Sequence, residues 1–395
     1  MFHLLLAIIY LSFISLGLPD AVLGSAWPMI YPEFHVPVSY AGIISITISA
    51  GTIFSSLQSD RLTKRFGTGK VTACSVLLTA IALFGFSISS SFWMMLFWAI
   101  PYGLGAGSVD ASINNYAAIH YASSHMSWLH CMWGIGASLG PYILSFTITQ
   151  GQNWNMGYRY ISILQVVLTI IIMLSLPLWN KQPVNAEIAD ELSQEQMTES
   201  RPLSLKEILS IPGAKPTFLM FFGYCALEQT AILWSSSYLV LHRGVDPETA
   251  AAYGALFLLG LTAGRAVSGF VAMKLNDNQM IRFGQAIVLI GILMMLFPFG
   301  EMIPLAGLIV IGVGCAPIYP CVIHSTPANF GADKSQAIVG VQMACAYVGS
   351  LAMPAIFGLI ANHVNPALFP YYLFIILVLM FVMHMRLMKD VKKNI

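Results

Sequence analysis

Apolar residues in this chain come in long runs. They show neither the strict alternation of a half-buried strand nor the narrow stripe of a surface helix. About 20 consecutive apolar residues, rising 1.5 Å each as a helix, cross the hydrocarbon core of a bilayer. Runs of about that length fall at 3–31, 38–59, 69–89, 91–119, 127–149, 158–179, 215–241, 249–273, 281–299, 303–323, 335–361 and 367–388. Backbone polar groups in lipid must find partners within their own segment, so each of these twelve runs is predicted to be a helix. The largest polar interruption, 180–214, divides six runs from six. The expected organisation is therefore a six-helix bundle over 1–179, a cytoplasmic linker over 180–214 and a second six-helix bundle over 215–395. The linker carries Glu187, Asp190, Glu191, Glu195 and Glu199 among mixed charges and is expected to be only partly ordered, with a short amphipathic helix near 203–209.

Composition confirms the solvent. The 395 residues are 57% apolar and 9% charged, against roughly a quarter charged in soluble domains. A water-soluble fold this long could not cover its surface with so few charges. The charges also set an orientation. With the N-terminus inside, fifteen Lys and Arg fall in inner loops, only Arg159 and Arg243 fall outside, and Arg265 lies within a helix. That asymmetry predicts cytoplasmic N- and C-termini in a cell membrane, and it supports the helix count, since one missed span would invert every later loop. The first apolar run lacks a basic leader, exceeds the length of a signal-peptide core and contains Asp20, so it is expected to be a retained helix. Trp154 and the Tyr371–Tyr372 pair suit interfacial positions.

Several function classes lose support. A net charge of +1 gives no footprint for nucleic acid. Gly67-Thr68-Gly69-Lys70 is not a phosphate loop, because Lys64 stands where the first Gly is needed and Val71 where a Ser or Thr is needed. The six cysteines lie in apolar runs without metal-ligand spacing. No Ser/His, HExxH or paired-metal pattern suggests an enzyme. No cofactor or metal is expected, and any driving force falls to an ion gradient, with protons the leading candidate. A sensor built on the same fold would carry an added signalling domain. A monomer is the default.

The two halves echo one another. Helix 1 has Asp20 then Trp27, and helix 7 has Glu228 then Trp234. Helix 5 carries Gly136-xxx-Gly140-Pro141, and helix 11 carries Gly349-xxxx-Pro354. Gly269-xxxx-Lys274-Leu275 follows helix 8, as Ser56-xxx-Asp60-Arg61-Leu62 follows helix 2. The latter segment, continuing through Lys64 and Arg65, resembles the Gly-xxx-Asp-Arg-x-Gly-Arg-Arg signature of the major facilitator superfamily, with Ser56 and Thr63 in place of its glycines. The resemblance implies twelve transmembrane helices in two pseudo-symmetric bundles, all α. It also implies a gating role for Asp60, Arg61, Lys64 and Arg65, with Asp60 at a helix N-terminus or paired to a basic group.

Within that superfamily the chain looks most like the fucose–proton symporters and sugar porters. The residues behind this are Gly17-Leu-Pro-Asp20, Gly103-x-Gly105-x-Gly107-xx-Asp110-xxx-Asn114, Trp128-Leu-His130-xxx-Gly134-Ile-Gly136-xxx-Gly140-Pro141 and Ala316-Pro317-Ile-Tyr-Pro320. The resembling family has a proton-coupling acid in helix 1, matched by Asp20. Its second acid, in helix 4, is a Glu, where this chain has the shorter Asp110.

Charge in a bilayer costs about 2.5–3.5 kcal/mol per group on the insertion scale, so Asp20, Asp110, Glu228 and Arg265 call for a reason. Gly17, Asp20, Gly24 and Trp27 follow helical spacing and are expected on one face, with Pro19 breaking the helix beside them. Asp20, Asp110 and Glu228 are candidate proton-coupling groups. Asp20, Trp27, Asn114, Asn115, Tyr224, Glu228, Gln229, Trp234 and Gln342 are candidate substrate contacts, since amides read hydroxyls and rings stack on sugar C–H faces. Arg265 either pairs with Glu228 or snorkels inward and is grouped with the gate. His130 is expected at the inner mouth. The function this predicts is proton-coupled symport of a sugar or polyol. The alternative is proton-coupled drug efflux, because Gly136-xxx-Gly140-Pro141 also resembles an antiporter motif.

Overall fold

A computed structural model describes residues 2–37, 40–179, 201–245, 247–297 and 302–391, and among them there are helices and no strands. The first seven helices are α1 (Phe2–Gly17), α2 (Val22–Glu33), α3 (Tyr40–Phe66), α4 (Thr68–Ser87), α5 (Phe92–His120), α6 (Ser123–Thr149) and α7 (Trp154–Trp179). After a short α8 (Leu205–Ser210) come α9 (Ala214–Arg243), α10 (Pro247–Val271), α11 (Asp277–Met295), α12 (Met302–Cys315), α13 (Ile318–Phe330), α14 (Ala332–His363) and α15 (Phe369–Val391). The acidic stretch of the expected linker, from Glu187 to Glu199, lies outside the described residues, as do Lys181, Lys392 and Lys393.

Among the described residues, ten helical segments are long and apolar enough to cross a membrane. Two of them are composite. α1 and α2 form one span, Leu4–Glu33, broken at residues 18–21 around Pro19. α12 and α13 form another, Met302–Phe330, broken at Ala316-Pro317. Proline supplies no N–H and crowds the preceding turn, so both breaks have a covalent cause. The predicted runs at 215–241 and 249–273 correspond to α9 and α10, which lie outside those ten. α9 carries Lys215, Glu228, Gln229, His242 and Arg243, which dilute its apolar character. α11 starts at Asp277, earlier than the apolar run suggests, because Asn276 and Gln279 form a capping box. α8 likewise starts on a Ser204–Glu207 capping box and buries Ile208.

The outer faces suit lipid. Leu174 is 79% exposed and Trp93 71%, and Phe54, Phe97 and Phe270 are also well exposed. Apolar exposure on this scale would be a large patch on a water-soluble monomer. Trp154, the first residue of α7, is buried against the protein: its indole Nε1 donates to Glu33 Oε2 at 2.7 Å, and its ring meets Phe34 and Tyr158. The hydrogen bond to a carboxylate at the end of α2 holds it there. Tyr371 is exposed, whereas Tyr372 donates to the Met353 carbonyl at 2.8 Å.

The chain forms two compact units. The first comprises Met1–His120, Leu129–Ser193 and Thr198–Pro202; the second comprises Tyr121–Trp128, Gln194–Met197 and Leu203–Ile395. In the first unit α3 packs along α5, and α4 packs against α5 and α7. Its apolar core gathers Trp27, Ile30, Leu83, Phe86, Tyr102 and Leu144 among others. In the second unit α9 packs against α14 and α15, and α12 against α10 and α11.

Backbones approach closely wherever small residues face each other, as expected where van der Waals packing drives association in lipid. A Cβ on Gly103 would stand 2.2 Å from the Ile48 oxygen, and one on Gly107 2.2 Å from the Thr52 oxygen. Ser56, in place of a signature glycine, is buried on this α3–α5 seam, where its Oγ donates to the Gly107 carbonyl at 3.2 Å. α3 therefore runs on as helix to Phe66. Gly67, at φ 81°, then turns the chain directly into α4, a backbone angle that glycine adopts without penalty. The α1–α6 crossing is tighter still: a Cβ would lie 2.2 Å from the Trp133 oxygen at Gly17, 2.0 Å from the Ile14 oxygen at Gly136 and 1.9 Å from the Leu18 oxygen at Gly140.

Gly140→Ala is expected to lower stability by about 1–3 kcal/mol, the usual range for overpacking, because the obstacle is backbone. Gly42→Ala, where a Cβ meets nothing within 4 Å, is the control and should be neutral or slightly stabilising. Thermal unfolding of the two variants in one detergent measures the difference.

Candidate functional site

The break between α1 and α2 leaves Asp20 in a turn, with its amide donating to the Gly17 carbonyl at 3.0 Å. Its side chain faces a cavity of about 250 Å³ in the first unit. Pro19, Leu23 and Gly24 line this cavity from the same turn and helix, with Ser45, Ile48 and Ser49 from α3 and Phe86, Tyr102 and Tyr158 from α4, α5 and α7. The indole Nε1 of Trp133 donates to Asp20 Oδ2 at 2.8 Å. An indole N–H is a donor only, so it holds one carboxylate oxygen as an acceptor and fixes the side chain's direction. The tight α1–α6 crossing places this donor, since the Trp133 backbone itself abuts Gly17.

Trp27 is not part of this wall. It is 4% exposed and sits in the apolar core of the first unit. Helical spacing puts Gly17, Asp20, Gly24 and Trp27 on one face only if the helix is continuous, and the turn at 18–21 interrupts it. Gly24 reaches the cavity and Trp27 does not.

Asp110 is half-buried on α5. Asn114, one turn on and fully buried, donates through Nδ2 to Asp110 Oδ1 at 2.7 Å and to the Asp110 carbonyl at 3.0 Å. Asn114 Oδ1 faces His130 Nε2 at 3.2 Å. Both ends of the amide are thus engaged within the protein, and Asn114 is not presented to a solute as the sequence suggests. His130 is buried rather than at a mouth, with the edge of the Phe13 ring against it. Asn115, 6% exposed, has an Oδ1 without a hydrogen-bond partner among the described residues.

In the second unit, Arg265 pairs with Glu228 rather than snorkelling. Nη2 lies 3.4 Å from Glu228 Oε1, and both residues are buried. Tyr224, fully buried, interacts electrostatically with both charges, and its ring meets Phe221 and Tyr319. Gln229, next to Glu228 in sequence, is half-buried. Trp234 and Gln342, both candidate solute contacts, each make a hydrogen bond between helices, and Gln342 Nε2 has no hydrogen-bond partner among the described residues. The Trp234 indole donates to the Pro354 carbonyl at 2.9 Å, and Gln342 Oε1 accepts from Thr326 Oγ1 at 3.1 Å.

Of the candidate gate, Asp60 is buried and pairs with Lys64 within its own helix at 3.1 Å, and Lys64 also reaches the Arg201 carbonyl at 3.3 Å. Arg61 extends to Gln58 at 3.5 Å, and Arg65 stands over the Phe66 ring.

Two groupings are absent from the sequence-based candidates. One is Trp133 with Tyr102, Tyr158 and Phe86 around Asp20. Trp133 lies three residues before Gly136, on the same face of α6, and that spacing was the available signal. The other is a polar knot in the second unit. Asp277 meets His324 Nδ1 at 2.6 Å and accepts from Ser123 Oγ at 2.5 Å, while His324 Nε2 faces the Tyr121 carbonyl at 3.1 Å. A histidine inside an otherwise apolar run was its signal.

Comparison with known proteins agrees with this architecture. The model of the Major Facilitator Superfamily matches residues 9–354. The chain belongs to that superfamily. It is a multi-pass integral membrane protein of a transporter family, with the all-helical fold that family shares. It is 23% identical over 400 residues to Bypass of stop codon protein 6 of Saccharomyces cerevisiae, covering 93% of this chain and 79% of that protein. It is 21% identical to the glucose/mannose transporter GlcP of Bacillus subtilis, covering 79% of this chain and 77% of that one. Among solved structures, FucP, the E. coli fucose:proton symporter, in its outward conformation matches with a TM-score of 0.79 at 14% identity, over 96% of this chain and 97% of that one.

The Glu228–Arg265 pair makes its own prediction. Removing one partner leaves an uncompensated buried charge, worth about 3–5 kcal/mol, whereas replacing both by apolar groups is often neutral. Glu228→Leu and Arg265→Leu should each unfold far more readily than the double variant. Thermal shifts of the three proteins against the parent measure the coupling.

Proposed function

We propose that this chain is a secondary active transporter that moves a sugar or polyol with protons by alternating access, with both termini cytoplasmic. The observation that carries the reading is Asp20: a carboxylate at a helix break, facing a cavity lined by aromatic rings and serine residues. Rings offer surfaces for sugar C–H faces, and hydroxyls and a carboxylate match sugar hydroxyls. A carboxylate away from bulk water can also bind and release a proton as its surroundings change. The names of GlcP and FucP support the same solute class. The fifteen-to-two distribution of Lys and Arg supports the orientation.

In this reading Asp20 and Asp110 carry the proton coupling, with the signature charges at Asp60, Arg61, Lys64 and Arg65 stabilising one gating state. Glu228 is assigned to the second unit's stability through Arg265. Tyr224, Gln229 and Asn115 remain proposed solute contacts. The efflux alternative rested on Gly136-xxx-Gly140-Pro141, whose two glycines serve the contact with α1.

Purified protein in liposomes holding a pH-sensitive dye tests the proposal. Neutral hexoses and polyols are added one at a time. At least one should acidify the lumen, and Asp20→Asn should abolish that signal while sparing exchange of the same solute. Silence across the panel, with proton release on adding lipophilic cations, would establish efflux instead.

A further inference from the structure

Lys and Arg divide between the two sets of loops fifteen to two, and Arg159 is one of the two. Its surroundings give a reason for the exception. Arg159 lies half-buried on the second turn of α7 and lines an open cavity of about 600 Å³. Ser87 at the end of α4, Gln152 and Asn153 from the loop before α7, and Asn155 on its first turn share that lining. The guanidinium makes no ion pair or hydrogen bond among the described residues, and its Nε is buried. Its Cζ stands 6.0 Å from the centroid of the Phe84 ring on α4. Glu33, which accepts from the Trp154 indole, does not pair with it. Gln152 Oε1 accepts from the Tyr160 hydroxyl at 3.2 Å, which leaves the NH₂ of that amide to a ligand. A guanidinium beside amides, with no carboxylate in the lining, suits an anion, and its planar fork matches a phosphate.

The helix faces below the cavity identify what carries the anion. Ile163, Val166 and Ile170 follow Arg159 at helical spacing and share its face, and all three are exposed. Phe84 and Ile81 on α4 are exposed too. Ser162 Oγ donates to the Ala80 carbonyl at 2.8 Å and so joins α7 to α4 alongside this strip. From Arg159 to Ile170 an α-helix rises about 16 Å, close to half of the roughly 30 Å hydrocarbon core. A cation with amides therefore caps an apolar strip one leaflet long.

We propose that this end of the first unit binds an anionic phospholipid with a hydroxylated headgroup, of the phosphatidylglycerol type. Arg159 holds the phosphate, the amides of Gln152, Asn153 and Asn155 meet the headgroup hydroxyls, and the acyl chains lie along Phe84, Ile81 and Ile163. An ammonium headgroup would meet no carboxylate in this lining. The site shares no lining residue with the Asp20 cavity, and it needs neither a transported solute nor a proton.

Native mass spectrometry of the full chain, titrated in detergent with dioleoyl phosphatidylglycerol, measures the tightest lipid-binding step. Arg159→Gln should weaken that step about tenfold or more, as expected for hydrogen bonds to a charged group. Arg159→Lys keeps the charge without the fork and should fall between. Arg282→Gln removes an exposed charge on α11 and should leave the step unchanged. Thermal midpoints without lipid establish that each variant is folded; if Arg159→Gln is not, Arg159→Lys carries the test. Equal weakening by Arg159→Gln and Arg282→Gln would mean diffuse charge attraction and would overturn the site. Equally tight binding of dioleoyl phosphatidylcholine would overturn the headgroup assignment. Competition by glycerol 3-phosphate at the concentration of the lipid would reveal a site for a free phosphate and overturn the lipid.

Discussion

The closeness of α1 to α6 is the constraint on which the first unit's chemistry depends. A bilayer offers no hydrophobic drive for helices to associate, so contact must come from packing and hydrogen bonds. Gly17, Gly136 and Gly140 remove the side chains that would keep two backbones apart, and each stands where a single Cβ would strike a carbonyl oxygen of the other helix or its turn. That approach sets the Trp133 indole at hydrogen-bonding distance from Asp20. With a wider crossing, Asp20 would face the cavity without a donor. The glycines that resemble a functional motif thus act by setting a distance between other residues.

The same physics explains why polar residues in this chain occur in linked sets. An unmet hydrogen-bonding group in lipid is expensive, which favours polar residues that come with a partner. Asp110 has Asn114, Glu228 has Arg265, His324 has Asp277, and Ser56 has the Gly107 carbonyl. Several of these partnerships are internal to the protein and leave no free valence for a solute. Asn114, Trp234 and Gln342 are residue types that suit sugar recognition, yet the Asn114 amide, the Trp234 indole N–H and Gln342 Oε1 are hydrogen-bonded to other residues of the protein. In a membrane protein, amide or indole chemistry alone does not distinguish a binding site from a helix joint.

Much of the fold is legible along the chain because the bilayer imposes a length scale. Runs of about 20 apolar residues and the one-sided distribution of Lys and Arg are one-dimensional signals. The helix break at Pro19 is legible for the same reason: the cause is covalent and local. Where the reading fails, the cause is three-dimensional. Trp27 keeps helical spacing from Asp20 only on paper, since the turn between them resets the face. The partner of Trp154 is likewise unreadable along the chain, since Glu33, distant in sequence, accepts its indole hydrogen bond. The start of α11 shifts because a capping box outranks hydropathy at a helix end. Trp133 and the ring set of Tyr102, Tyr158 and Phe86 converge from α6, α5, α7 and α4, and no single window of sequence contains them.

The acids of the two units differ in availability, and this separates their roles. Glu228 lies within continuous helix α9, buried, with a guanidinium 3.4 Å away. Moving its proton would strand Arg265, so its charge is tied to the integrity of the second unit. Asp20 lies at a break, facing open volume, held through one oxygen by a neutral donor that tolerates either charge state. Asp110 stands between these cases, half-buried and accepting from the Asn114 amide, which also meets His130. A group that cycles its proton needs a partner that survives both states of the cycle. An indole N–H and an amide N–H meet that condition and a buried guanidinium does not, which is consistent with the proposed coupling through Asp20 and Asp110.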